Sequence, residues 1–150
     1  MTMESFIHPN VHSWIKANIK KKLAVEYRKE LYIFLQELWG PVVNYDFSGL
    51  KGGYPYVSLP FRDSLYLYDS QLKLAFDFVG ESILDGKCSS KGYSSFLYRK
   101  NILTIKGWCV LTYCIDNLEK DLTDSKELIQ KIYVKQINYL KSMQETYQLS

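Results

Sequence analysis

The chain has few of the residues that staple or metal-link small proteins. Its three cysteines, Cys88, Cys109 and Cys114, are odd in number and include no Cys-x-x-Cys pair. That argues against a disulfide framework. Cys109 and Cys114 fall in an apolar run, where a reduced core cysteine is the default. The only histidines, His8 and His12, stand near the N-terminus, far in sequence from any cysteine, so a zinc site is not expected. No apolar run approaches the length of a membrane span, and the N-terminus carries no secretion signal. Repeats, low-complexity tracts and an interdomain linker are also missing. These absences lead us to expect a cytoplasmic protein with no membrane partner. At 150 residues the chain is long enough for one domain with a sizeable core.

What is present is an ordinary globular composition, 47% hydrophobic and 23% charged, with aromatics at 15%, mostly tyrosine. The net charge of +3 is a mild lean toward an anionic partner. Its distribution says more. Lys16, Lys20, Lys21, Lys22, Arg28 and Lys29 crowd the first thirty residues, and Lys87, Lys91, Arg99, Lys100 and Lys106 form a second group. A solvated helix face accounts for any single lysine. Two such groups in one small domain suggest a polyanion footprint.

Apolar residues at helical spacing, Ile15, Ile19, Leu23, Leu31, Phe34, Leu35 and Leu38, predict helix from about Val11, with a break near Lys20 to Val25 and an end at Gly40-Pro41. Residues 1–24 are expected to be a basic helical segment ahead of a domain spanning 25–150. Residues 44–62, with three glycines and two prolines, read as a long loop or short edge strands. DSLYLYDSQLKLAFDFVG, residues 63–80, reads as a hairpin. Polar, glycine-containing residues 80–92 suggest a mobile loop, YSSFLYRKNILTIK a helix, WCVLTYCI a strand, Asp116 or Asn117 the cap of a turn, and about 124–145 an amphipathic helix. A strand–helix–strand unit after a hairpin implies a mixed sheet with helices packed on it, an α/β (α+β) fold.

The hairpin raises the question of chemistry. With its turn centred on Ser70, Asp63 falls opposite Asp77, on one face with Leu65, Leu67, Lys73, Ala75 and Val79. Tyr66, Tyr68, Leu72, Leu74, Phe76 and Phe78 take the other, core-like face. Facing carboxylates repel unless one is protonated or both bind a cation, and a hard divalent ion suits them. Solvated acids at frayed strand ends are the simpler alternative.

The second strand reads Leu74-Ala75-Phe76-Asp77-Phe78-Val79-Gly80. Downstream stand Arg99, Leu103 and Gly107-Trp108; upstream stand Glu30, Leu35 and Trp39. This ordered set, over roughly residues 25–120, resembles the PD-(D/E)XK nuclease superfamily, in its branch around very short patch repair endonucleases. The resemblance implies a restriction-endonuclease-like mixed sheet core. It also implies Asp63 and Asp77 as catalytic ligands of Mg²⁺ or Mn²⁺, with Glu30 in support and Arg99 on a phosphate or bracing the site. DNA would be the partner, gripped by Lys20, Lys21, Lys22, Arg28, Lys91, Arg99 and Lys100.

The sequence departs from the pattern at Val79, where such enzymes carry a catalytic lysine or the branch's second acid. No histidine follows Gly80. Val79 has no group that activates water, so the expectation is a nucleic-acid-binding protein with a degenerate site and lost or reduced catalysis. An active Mg²⁺-dependent endonuclease is the alternative. A further one is an adaptor binding a protein partner or a second copy of itself through its tyrosines, including those of the C-terminal helix.

Overall fold

The computed structural model describes residues 6–56 and 64–149. In chain order the elements are α1 (Pro9–Asn18), α2 (Lys21–Glu26), α3 (Arg28–Ile33), a π-helical turn (Phe34–Trp39), α4 (Gly40–Val43), β1 (Leu50–Gly52), β2 (Ser64–Asp69), β3 (Leu74–Val79), α5 (Glu81–Leu84), α6 (Ser90–Ile105), β4 (Cys109–Tyr113), α7 (Ile115–Lys120) and α8 (Leu122–Leu149). The four strands form one mixed sheet in the order β1-β2-β3-β4. β1, β2 and β3 are antiparallel neighbours. β4 returns parallel to β3 after the α6 crossover. The expected α/β class and single mixed sheet flanked by helices are present.

Helices cover both faces. On the first, Leu65, Leu67, Leu74, Phe76 and Phe78 pack against Leu31, Phe34, Leu35, Leu38 and Trp39 from α3 and the π turn, with Leu118 of α7 and Ile129 of α8. Phe34 lies over Phe76 and Phe78, with ring centroids 4.8 and 5.2 Å apart. α1 belongs to the same core through Val11, Trp14, Ile15 and Ile19. The Trp14 indole donates to the Leu50 carbonyl at 3.0 Å, fastening α1 to the edge strand. The boundary expected at residues 24/25 therefore marks no gap in packing. On the second face, Tyr66 and Ala75 pack with Leu103 of α6 and Trp108, flanked by Tyr54, Tyr68 and Val110.

Four local expectations are corrected. The helical run does not end at Gly40-Pro41 but continues to Val43, where Asn44 takes a left-handed conformation (φ 53°) and closes it. The π turn leads into this passage by carrying the Gly40 N–H to the Leu35 carbonyl, and the Tyr45 N–H closes α4 on the Gly40 carbonyl. Residues 80–92 are not a continuous loop. They hold α5 and the start of α6, whose Ser89 hydroxyl accepts the Gly92 N–H at 3.0 Å. The segment after β4 is the helix α7, which Asn117 helps to cap by accepting from the Cys114 N–H. The C-terminal helix, expected over 124–145, runs over Leu122–Leu149.

The hairpin register is the correction with chemical consequences. β2 pairs with β3 as Ser64↔Val79, Tyr66↔Asp77, Tyr68↔Ala75 and Asp69↔Leu74. Asp77 thus lies opposite Tyr66 and not opposite Asp63, which falls outside the described residues. The turn occupies Ser70 to Lys73, with Lys73 left-handed (φ 53°) and the Asp69 carboxylate accepting the Leu72 N–H at 3.1 Å. This shift sends Leu65 and Leu67 to the face of Leu74, Phe76 and Phe78, and moves Tyr66 and Tyr68 to the face of Asp77. The physical reason is burial. Leucines carry no polar group to satisfy, so they win the larger core over tyrosines, and a register of odd offset flips every side chain of the strand.

Candidate functional site

The chemically unusual cluster lies on the second face of the sheet, under α6. Asp77 is in mid-strand on β3 and has no exposed surface. Strand alternation puts it beside Tyr66, its cross-strand partner, with Ser64 two residues further along β2. α6 brings Arg99 onto the same group: its guanidinium donates to the Ser64 hydroxyl at 3.3 Å, and both side chains are buried. Tyr54 closes the cluster, donating its hydroxyl to the Arg99 carbonyl at 2.9 Å and meeting the Tyr66 ring edge-on at 5.3 Å.

Burial dominates the electrostatics. It pushes the Asp77 carboxyl up to about 7, against the opposing pull of Lys100, Arg99 and the Tyr66 and Ser64 hydroxyls. Those hydroxyls lie near enough to favour the anion. Among the described residues, however, neither carboxylate oxygen has a hydrogen-bond partner of full geometry. Burial likewise drives the Tyr66 phenol far above its ordinary value, with the Asp77 charge adding to the shift and Arg99 opposing it. The cluster is a desolvated acid–phenol–hydroxyl group beside two cations, and Asp77 exchanges its proton near neutrality.

The remaining expected site residues are dispersed. Glu30 lies on α3, half-buried; burial raises its pKa, and its charged neighbours are Glu26, Lys29 and Glu119. Asp77 is not among these neighbours, and α3 packs on the opposite face of the sheet. Val79 is half-buried and pairs with Ser64. Lys73 sits in the turn with its ammonium 5.1 Å from the Trp108 ring centroid. Lys20, Lys21, Lys22 and Arg28 are exposed on or beside α2 and α3, and Lys91 is exposed at the start of α6. Lys100 is half-buried, 5.5 Å from the Phe96 ring centroid. Arg99 is 7% exposed, so it braces the cluster and does not present itself to solvent.

The expected metal ligand Asp63 lies outside the described residues, so Asp77 is the expected ligand that can be placed. It is one carboxylate flanked by cations, and no group of three or more His, Cys, Asp or Glu side chains able to hold a metal occurs among the described residues. Reading the sequence missed Ser64, Tyr54 and the role of Tyr66. The signal available for the β2 residues was the preference of Leu65 and Leu67 for the core, which fixes the register. Among the described residues no helix is long and apolar enough to cross a membrane. No family model, no curated protein and no solved structure matches the chain.

Proposed function

We propose that the chain is a nucleic-acid-binding protein on a PD-(D/E)XK nuclease-like core whose catalysis is lost or reduced. The observation that carries the reading is the buried Asp77 on the second strand of a hairpin, faced by Arg99 from the helix that crosses over to a parallel strand. That order of elements, with an arginine on the helix bracing the site, matches what the sequence resemblance implies. Reduced catalysis is supported by two features: Val79 cannot activate water, and Asp77 is sealed from solvent. Binding would fall to the outward-facing cations Lys20, Lys21, Lys22, Arg28 and Lys91, with Lys100 at the edge of the cluster.

The test is fluorescence anisotropy on a labelled DNA duplex and on the matching single strand, with cleavage followed in parallel with and without Mg²⁺ or Mn²⁺. About four phosphate contacts predict a roughly 100-fold loss of duplex affinity between about 50 and 200 mM salt. Salt-sensitive binding without cleavage supports the proposal. Metal-dependent cleavage abolished by Asp77→Asn would restore the active endonuclease. No binding at low salt would remove the nucleic-acid reading and leave a protein adaptor in front.

A further inference from the structure

A groove of about 450 Å³ lies away from the Asp77 cluster, walled by Ile7, His12, Arg28, Tyr32, Ile33 and Gln36, with Lys29 and Glu37 at its margin. That volume is in the range of small-molecule sites. Its walls are mainly apolar, supplied by Ile7, Ile33 and the Tyr32 ring. Several of its polar groups also bond within the protein. The Gln36 amide accepts from the His8 N–H at 2.8 Å and donates to the Tyr45 hydroxyl at 3.2 Å. His12 Nδ1 and the Tyr32 hydroxyl bond each other at 2.8 Å. Glu37, the one acid among the described residues lining the groove, is paired with Lys126 at 3.3 Å.

Two exposed cations border the groove. Arg28 lies over the Tyr32 ring, 5.4 Å from its centroid. Among the described residues neither Arg28 nor Lys29 forms an ion pair, and both are exposed. Apolar walls and two exposed positive charges together favour a ligand with an apolar body and an anionic head. A neutral hydrocarbon would leave the cations unused, and a small inorganic anion would leave the apolar walls unfilled. We infer that this groove binds a small amphiphilic anion, an apolar body seated on Ile7, Ile33 and Tyr32 with its carboxylate or other anionic head at Arg28 and Lys29. The inference shares Arg28 with the nucleic-acid reading but uses neither the Asp77 cluster nor α6, and its readout, decanoate binding at Ile7 and Ile33, is separate from DNA affinity.

The experiment uses the full chain, decanoate as probe and decanol as its uncharged counterpart. Binding is followed by the methyl NMR shifts of isoleucine, which report Ile7 and Ile33 directly. Decanoate should move both methyl signals saturably, and decanol should bind at least about fivefold more weakly, since head-group charge contributes modestly at an exposed site. The double variant Arg28→Glu, Lys29→Glu changes two exposed side chains and should leave the fold intact, as checked by far-UV circular dichroism. It should bring decanoate affinity down to that of decanol. Failure of decanoate to shift Ile7 and Ile33, equal binding of decanoate and decanol, or unchanged decanoate affinity in the folded double variant would each overturn the inference.

Discussion

Replacing Asp77 by asparagine tests whether the cluster under α6 is as desolvated as its geometry implies. Burial raises the carboxyl from an ordinary 3.8 to about 7 in the folded chain. A carboxylate shifted upward contributes most to stability below its unfolded pKa. That contribution is lost as pH rises toward the folded value, and above it the penalty is constant. The full penalty is about 4 kcal/mol, from ~1.36 kcal/mol for each pH step of one between the two values. Between pH 5 and 8 the portion lost is about 2.5 kcal/mol on the same arithmetic.

Asparagine has nearly the same shape and does not titrate there. Its own desolvation cost is the same at both pH values, so it cancels when the variant-minus-wild-type difference at pH 5 is subtracted from that at pH 8. Urea unfolding of both proteins at the two pH values, followed by circular dichroism and tryptophan fluorescence, gives the four stabilities required. Relative to wild type, the variant should gain about 2.5 kcal/mol on going from pH 5 to pH 8, equivalent to roughly 5–10 °C in Tm for a chain of this size. A difference that stays constant within about 0.5 kcal/mol, close to the error of such extrapolations, would mean that Asp77 titrates like a solvated acid and would refute the buried-cluster description.

Two further substitutions check the elements that frame the site. Gly40→Ala places a Cβ against the Leu35 carbonyl and the Tyr45 ring, so the π turn must open; a loss of about 2–3 kcal/mol in chemical unfolding is expected. An alanine variant as stable as wild type would show that the Gly40-Pro41 passage is not close-packed. Ser89→Ala removes the hydroxyl that accepts the Gly92 N–H and should cost about 1 kcal/mol, with hydrogen exchange accelerated in the first turn of α6 before anywhere else. Uniform acceleration across the sheet would contradict that local role.

Much of the fold could be read from spacing. Leu31, Phe34, Leu35 and Leu38 recur at helical intervals and are buried on one face. The apolar-aromatic runs around residues 64–69 and 74–79 are strands, and the apolar run after Gly107 is the strand parallel to β3. The register was not legible from the turn, because Ser70-Gln71-Leu72-Lys73 lacks the Asn-Gly or Asp-Gly signal that fixes loop length, and a lysine at positive φ leaves no mark in sequence. It was legible from the faces. Pairing Leu65 and Leu67 with Phe78 and Phe76 places the leucines of both strands in one core, whereas the symmetric turn at Ser70 strands Leu65 and Leu67 beside an acid. The passage through Gly40-Pro41 was hidden for a related reason: a π turn depends on tertiary packing around Phe34 and Trp39 and has no sequence period of its own. Asp77 stood out as an acid inside an apolar strand, but its partners across β2 depended on the register and were lost with it.

The burial of Asp77 separates two properties that an active nuclease would unite. In a site that cleaves a phosphodiester, the acid and the phosphate-gripping cations must meet at one solvent-accessible point, because the reacting atoms must approach within hydrogen-bond or coordination distance. Here the acid lies beneath α6, its nearest arginine is buried with it, and Lys91 with the α2 lysines faces outward. A polyanion attracted to those lysines meets the chain at its surface, without contact to the carboxylate. If the proposed binding is correct, Asp77→Asn should leave DNA affinity unchanged within about twofold while it alters stability with pH. Lys91→Glu should weaken binding and reduce the salt slope by roughly one to two phosphate contacts, because it both deletes a cation and adds a repelling anion. A large loss of affinity in the Asp77 variant at a pH where both proteins are fully folded would mean that the sealed cluster opens on binding, and would return the acid to the nucleic-acid interface.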